Sequence, residues 1–290
     1  MAFIDALRNK FIKRSPVLIF LLGYLASVLG VITAMRIFPQ DVGLMGLAFG
    51  SLIMQPFITK LLANEEKVVY REKRFSRKLF SDHSQTFKTF LLLFLGVFVA
   101  YSSMYLYSNQ IRVENHFDSQ LDVYVNNAGG AISNQLSLRT IAGAASAFEC
   151  KTAFDCFLGY SANNFSVMLV TLLLSLLYGA GAMLFLSWNA SVWGTVFAYL
   201  AKKTAFETGS AKYAAFSELF VKIFPHTFLE ASAYFLAVIA GLVISKALLR
   251  EKLWSPRFNF IIRDGMLFFY LSIVIIFVAA FIEAYLYPYF

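Results

Sequence analysis

Hydrophobic positions in this chain neither alternate nor keep to one helical face; they come as unbroken runs separated by short polar stretches. A helix needs about 20 apolar residues to cross a hydrocarbon core of roughly 30 Å, so such runs can be counted as spans. Val17 to Met35 is the first, Val42 to Thr59 the second and Thr89 to Tyr107 the third. Only Pro39, Gln40 and Asp41 lie between the first two at their narrowest, which predicts an antiparallel helical pair, and Pro56 is placed to bend the end of its second member. The first run follows Arg8, Lys10, Lys13 and Arg14 as a signal peptide would. It is too long for that, and with no clear cleavage site before Arg36 it reads as a signal anchor.

The second half divides less cleanly. Phe157 to Ala201 holds no charged residue, which is too long for one helix and enough for two. Asn189 and the glycines Gly179, Gly181 and Gly194 punctuate it, predicting a fourth span at Ser166 to Leu186 and a fifth at Ala190 to Ala201. The fifth would reach only about 18 Å, so it is either extended by its neighbours or re-entrant. In Lys202 to Phe224 the apolar Tyr213, Phe216, Leu219, Phe220 and Ile223 recur at helical spacing between charges, the pattern of an amphipathic helix lying in the interface. A sixth span runs from about His226 to Leu249 and a seventh from Met266 to Ala284, with Tyr285, Tyr287 and Tyr289 as an interfacial belt. The fold class is thus all-α: a polytopic helical membrane protein of about seven spans, one of them short or re-entrant, with an interfacial helix.

Composition agrees. At 59% hydrophobic and 14% charged over 290 residues, the chain lies outside the range of soluble domains. Its net charge of +8 sits between the spans, which points away from nucleic acid and toward orientation in a bilayer. The stretch from Lys60 to Lys88 is dense in Lys and Arg and reads as a solvated cytoplasmic link, with anionic headgroup contact as a second use. With the N-terminus inside, seventeen of the 25 Lys and Arg fall on the cytoplasmic side. That predicts a multi-pass protein of the cell membrane with a cytoplasmic N-terminus, an external C-terminus and an outer loop at 108–164.

Polar groups inside spans are costly unless paired or hydrated, so each draws notice. His226 and Glu230 stand at i and i+4, one helix face, near the start of the sixth span, with Pro225 suited to a helix N-terminus. They either form a satisfied structural pair or serve a proton relay or ligand site. Asn189 can cap the fifth span, and Asn163 and Asn164, at the opening of the fourth, can cap that helix or neighbour His226. Glu283, beside the aromatic tail, reads as a snorkelling acid. Gly179, Gly181 and Gly194 permit close helix approach. Cys150 and Cys156 share the outer loop and are either a disulfide or two free thiols. His226 and Glu230 supply two ligands of a zinc set, but no third is evident and His-Glu-x-x-His is absent, so no metal, cofactor or catalytic residue is expected.

Three features in order carry a resemblance: Asn163-Asn164 opening a span that becomes glycine-rich, Asn189 with Gly194 five residues on, and Pro225-His226 with Glu230 and a following Gly241. Together they resemble the stage II sporulation protein M family of membrane proteins. Ala190 and Thr227 stand where the family pattern has glycine. The resemblance implies a five-helix core at 87–290, with 1–86 as a two-helix extension and basic linker, and with Asn163-Asn164 and Pro225-His226 on the side of the large loop. It also implies an organising or anchoring subunit of a complex that, in spore formers, includes cell-wall hydrolases. The expected function is therefore a membrane scaffold or complex subunit with membrane or extracytoplasmic protein partners, a homo-oligomer being compatible. The alternative is a permease-like or lipid-handling protein using His226 and Glu230 with Asn163, Asn164 or Asn189.

Overall fold

The computed structural model describes residues 15–71, 79–107, 116–127 and 152–286. Among them are eight α-helices: α1 (Pro16–Ile37), α2 (Val42–Arg71), α3 (Leu79–Tyr107), α4 (Asp118–Asn127), α5 (Ala153–Tyr178), α6 (Ala182–Thr208), α7 (Lys212–Arg250) and α8 (Pro256–Leu286). All but α4 are long and apolar enough to cross a membrane, so this is an all-α, multi-pass membrane protein. The N-terminal basic cluster, most of the loop at 108–164, Cys150, and Tyr287 and Tyr289 lie outside the described residues.

Helix α7 organises the bundle. From Glu230 to Val243 every residue is buried, and the helix packs on α3, α5, α6 and α8. A helix apolar on all sides belongs at the centre, and here Phe235 is gripped by Phe87, Phe90 and Phe94 of α3 at ring separations of 5.5, 6.5 and 5.6 Å. Outward-facing Leu25, Ile32, Leu52, Leu177, Tyr270 and Phe281 are exposed, as suits residues that meet acyl chains.

Lipid tails are as apolar as leucine, so helices here gain little from hiding hydrocarbon and depend on close contact and polar links. Small residues provide the contact. A Cβ on Gly30 of α1 would collide with the Gly46 carbonyl and lie 2.6 Å from the Gly50 nitrogen of α2; one on Gly23 would lie 2.6 Å from the Leu93 carbonyl of α3. Hydroxyls add links: Ser102 Oγ donates to Gly194 O at 3.0 Å, joining α3 to α6, and Ser175 Oγ donates to Val238 O at 2.7 Å, joining α5 to α7. At the end away from the basic links, Lys212 Nζ donates to Leu106 O at 2.7 Å and so satisfies a terminal carbonyl of α3.

Several boundaries differ from the sequence reading. Helix α2 continues past Thr59 to Arg71, and α3 begins at Leu79 rather than Thr89. Leu61, Leu62, Ala63, Glu65, Glu66 and Lys67 are good helix formers, so the backbone continues beyond the apolar run. Helix α5 starts at Ala153, where Thr152 and Asp155 form a reciprocal capping box; Asn163 and Asn164 are interior residues and cap nothing. The fifth element is not short: α6 has 27 residues and is long enough to span. The joint before it is a 3₁₀ turn over Gly179–Gly181, with Gly179 at φ 49°, a left-handed conformation that favours glycine. These two glycines therefore make a turn rather than a packing patch. The expected interfacial helix is no separate element either. Lys202 to Thr208 ends α6, and Lys212 to Phe224 continues through Pro225 into the sixth span as one helix of 39 residues. Its Phe216, Leu219 and Phe220 pack against the hydrophobic core.

Part of the loop at 108–164 forms α4. Phe117, just before it, is buried against Tyr101 and Tyr105 at 5.6 and 6.1 Å, which fixes the short helix onto the bundle.

The α1–α2 contact can be tested directly. Gly30→Leu is expected to destabilise the purified protein in detergent by about 1–3 kcal/mol, since neither neighbouring backbone can yield, whereas Leu29→Ala on the exposed face should change it by less than about 0.5 kcal/mol; thermal unfolding would separate the two.

Candidate functional site

Three helices bring their polar residues to one place. On α7, His226, Glu230 and Tyr234 recur every fourth residue and so share a face; all three are buried. Across from them on α5, the Asn164 Nδ2 donates to Glu230 Oε1 at 2.7 Å, while Asn164 Oδ1 accepts from the Tyr234 hydroxyl at 3.3 Å and from Asn163 Nδ2 at 3.2 Å. This amide orientation is the one that chemistry demands: the NH₂ must face the carboxylate and the carbonyl must face the hydroxyl. From α8 comes Glu283. Ligand-type atoms of His226, Glu230 and Glu283 all lie within 4.8 Å of one another.

Burial grades the cluster. Glu230 and His226 are each only 6% exposed, while Glu283 is partly exposed one turn from the end of α8. Glu230 precedes Arg250 by about 30 Å of helix, so the cluster stands near the far edge of a hydrocarbon core whose other edge is the basic α7–α8 link. A carboxylate there is sheltered from lipid by the helices packed around it.

Over 156–201, 223–245 and 265–290, which include the parts of α5, α7 and α8 around the cluster, the only acids are Glu230 and Glu283 and there is no Lys or Arg. The nearest lysine on α7, Lys222, is half-exposed and bound to Glu218 at 2.7 Å. His226 is thus the one basic side chain these stretches offer to two acids.

The other polar residues singled out from sequence lie elsewhere. Asn189 is inside α6, not at its start, and its Nδ2 donates to Phe185 O at 2.9 Å on its own helix. Gly194 faces α3, where a Cβ would stand 2.5 Å from Phe98 O. Gly241 does the same against α5, 2.7 Å from Leu172 O. Pro225 is interior to α7 and not at its N-terminus. Cys156 is disulfide-bonded, and Cys150, the only other cysteine in the chain, lies outside the described residues. Glu283, read from sequence as a snorkelling acid, lies within 4.8 Å of His226 and Glu230 as the third member of the cluster. Tyr234 was missed by sequence reasoning although its spacing of four from Glu230 is a visible signal.

The fold and cluster define a class: a seven-span helical membrane protein with an acid–imidazole–amide group where three helices meet. The chain belongs to the Stage II sporulation protein M family, whose pattern matches residues 17–288 and so takes in the first helical pair as well as the later helices. No curated protein and no solved structure matches it.

If Asn164 is the residue that satisfies Glu230, Asn164→Leu leaves a buried acid and a buried hydroxyl short of partners. It should lower unfolding stability in detergent by about 1–3 kcal/mol, and Asn163→Leu, which removes only an outlying donor, by clearly less.

Proposed function

We propose that this protein is an integral membrane subunit that holds partner proteins at the membrane, with the cluster at Asn164, Glu230 and Tyr234 serving as an internal brace for the presenting body. The observation that carries this reading is the use to which the intramembrane polar groups are put. They are bonded to one another across α5 and α7 at 2.7 and 3.3 Å, which is what helix-to-helix polar links do in a medium without water.

Further support comes from the side of the molecule away from the basic links. Helix α4 is anchored there by Phe117 and leaves Asp118 exposed, a fixed polar element on an otherwise apolar body. In this reading the N-terminus is cytoplasmic and α4 faces outward, as the bias of Lys and Arg between the loops predicts.

A photo-crosslinking amino acid at Asp118, introduced in living cells, is expected to give discrete protein adducts that persist in His226→Ala and Glu230→Gln variants accumulating normally. An alkaline phosphatase fused after Phe290 should be active. No adduct from Asp118, together with a solute flux in vesicles that Glu230→Gln abolishes, would favour the permease-like alternative instead.

A further inference from the structure

We propose that His226, Glu230 and Glu283 form a binding site for one divalent transition-metal cation, of the zinc type, at the edge of the membrane core. The donor set is one imidazole nitrogen and two carboxylate oxygens, a mixture that suits zinc and its neighbours among first-row metals better than calcium or magnesium, which prefer oxygen alone. The ligand atoms lie within 4.8 Å of one another. Ligands around a tetrahedral zinc with bonds near 2.0–2.1 Å stand about 3.3 Å apart, so the gap to close is at most ~1.5 Å. Glu230 and Glu283 each have three side-chain torsions with which to close it.

The surroundings are arranged as a metal site requires. Glu230 is held from behind by Asn164 at 2.7 Å, and Asn164 in turn by Tyr234 at 3.3 Å and Asn163 at 3.2 Å, so its carboxylate is oriented by hydrogen bonds from groups that do not themselves need to bind the metal. The charge balance points the same way. Two acids converge where the adjoining stretches of α5, α7 and α8 supply no Lys or Arg, and a divalent cation would offset both. Three protein ligands leave a coordination position for water. Glu283, partly exposed near the end of its helix, marks the side from which the ion enters.

Two ligands come from a His-x-x-x-Glu turn of α7 and the third from α8, 53 positions beyond Glu230, so the bound ion would tie α7 to α8 while Asn164 ties α7 to α5. The inference goes beyond the scaffold reading and does not depend on it, because its readout is metal content rather than partner contact.

The test uses the full chain, purified in mild detergent with a histidine-free tag, stripped with a chelator, exposed to zinc chloride and desalted. Mass-spectrometric metal analysis should find a single zinc per chain, and zinc should raise the unfolding temperature of the stripped protein. Glu283→Gln and His226→Ala should each weaken zinc binding at least tenfold, while Glu218→Gln, an exposed acid on the same helix, should not change it. Cobalt in place of zinc should give visible absorption bands that Glu283→Gln abolishes. Folded wild-type protein that takes up no stoichiometric zinc would overturn the proposal. Full zinc content in a folded Glu283→Gln variant would overturn it equally.

Discussion

Glu230 is an acid buried at the centre of a helical membrane bundle, and most of what surrounds it can be understood as the means of keeping it there. A carboxylate inside a membrane costs several kcal/mol unless its oxygens find donors or a cation. Asn164 supplies one donor at 2.7 Å, and it can do so only because α5 is close against α7. That closeness rests on Gly241, whose missing side chain lets the Leu172 backbone approach, and on Ser175, which reaches the Val238 carbonyl. The polar link and the small-residue contact are therefore one device: without the second the first could not form.

The same economy of means recurs on the other side of the bundle. Gly23, Gly30, Gly46 and Gly50 bring α1, α2 and α3 into backbone contact, and Gly194 does so for α6 against α3. Aromatic side chains fill what remains, with Phe235, Phe94 and Phe98 at the junctions of α3, α6 and α7. Where water is absent, shape and a few satisfied polar groups replace the hydrophobic effect as the source of specificity. Glu283 then stands out, because it brings a second acid beside Glu230 rather than a charge that balances it.

Seven spanning helices were legible because lipid imposes a composition that sequence displays directly. Their ends were less so, for identifiable reasons. The run from Phe157 to Ala201 carries no charge to mark a boundary, so the true joint at Gly179–Gly181 was overlooked in favour of Asn189, a residue that can equally sit mid-helix and bond the carbonyl four residues back. Pro225 suggested a helix start, yet a proline inside a membrane helix is tolerated when neighbours satisfy the freed carbonyl. That His226 and Glu230 share a helix face followed from spacing alone. Glu283 could not, because its place beside them depends on how α8 packs on α7, a long-range fact that periodicity does not encode.

The account stands on the bond between Asn164 and Glu230, and a double-mutant cycle measures it most directly. Asn164→Ala, Glu230→Gln and the double variant would be unfolded in detergent beside the parent protein. A bond that holds α5 to α7 predicts a coupling of roughly 0.5–2 kcal/mol, the double variant losing less than the sum of the single ones. Losses that add to within a few tenths of a kcal/mol would contradict it, and would mean that the two side chains do not depend on each other.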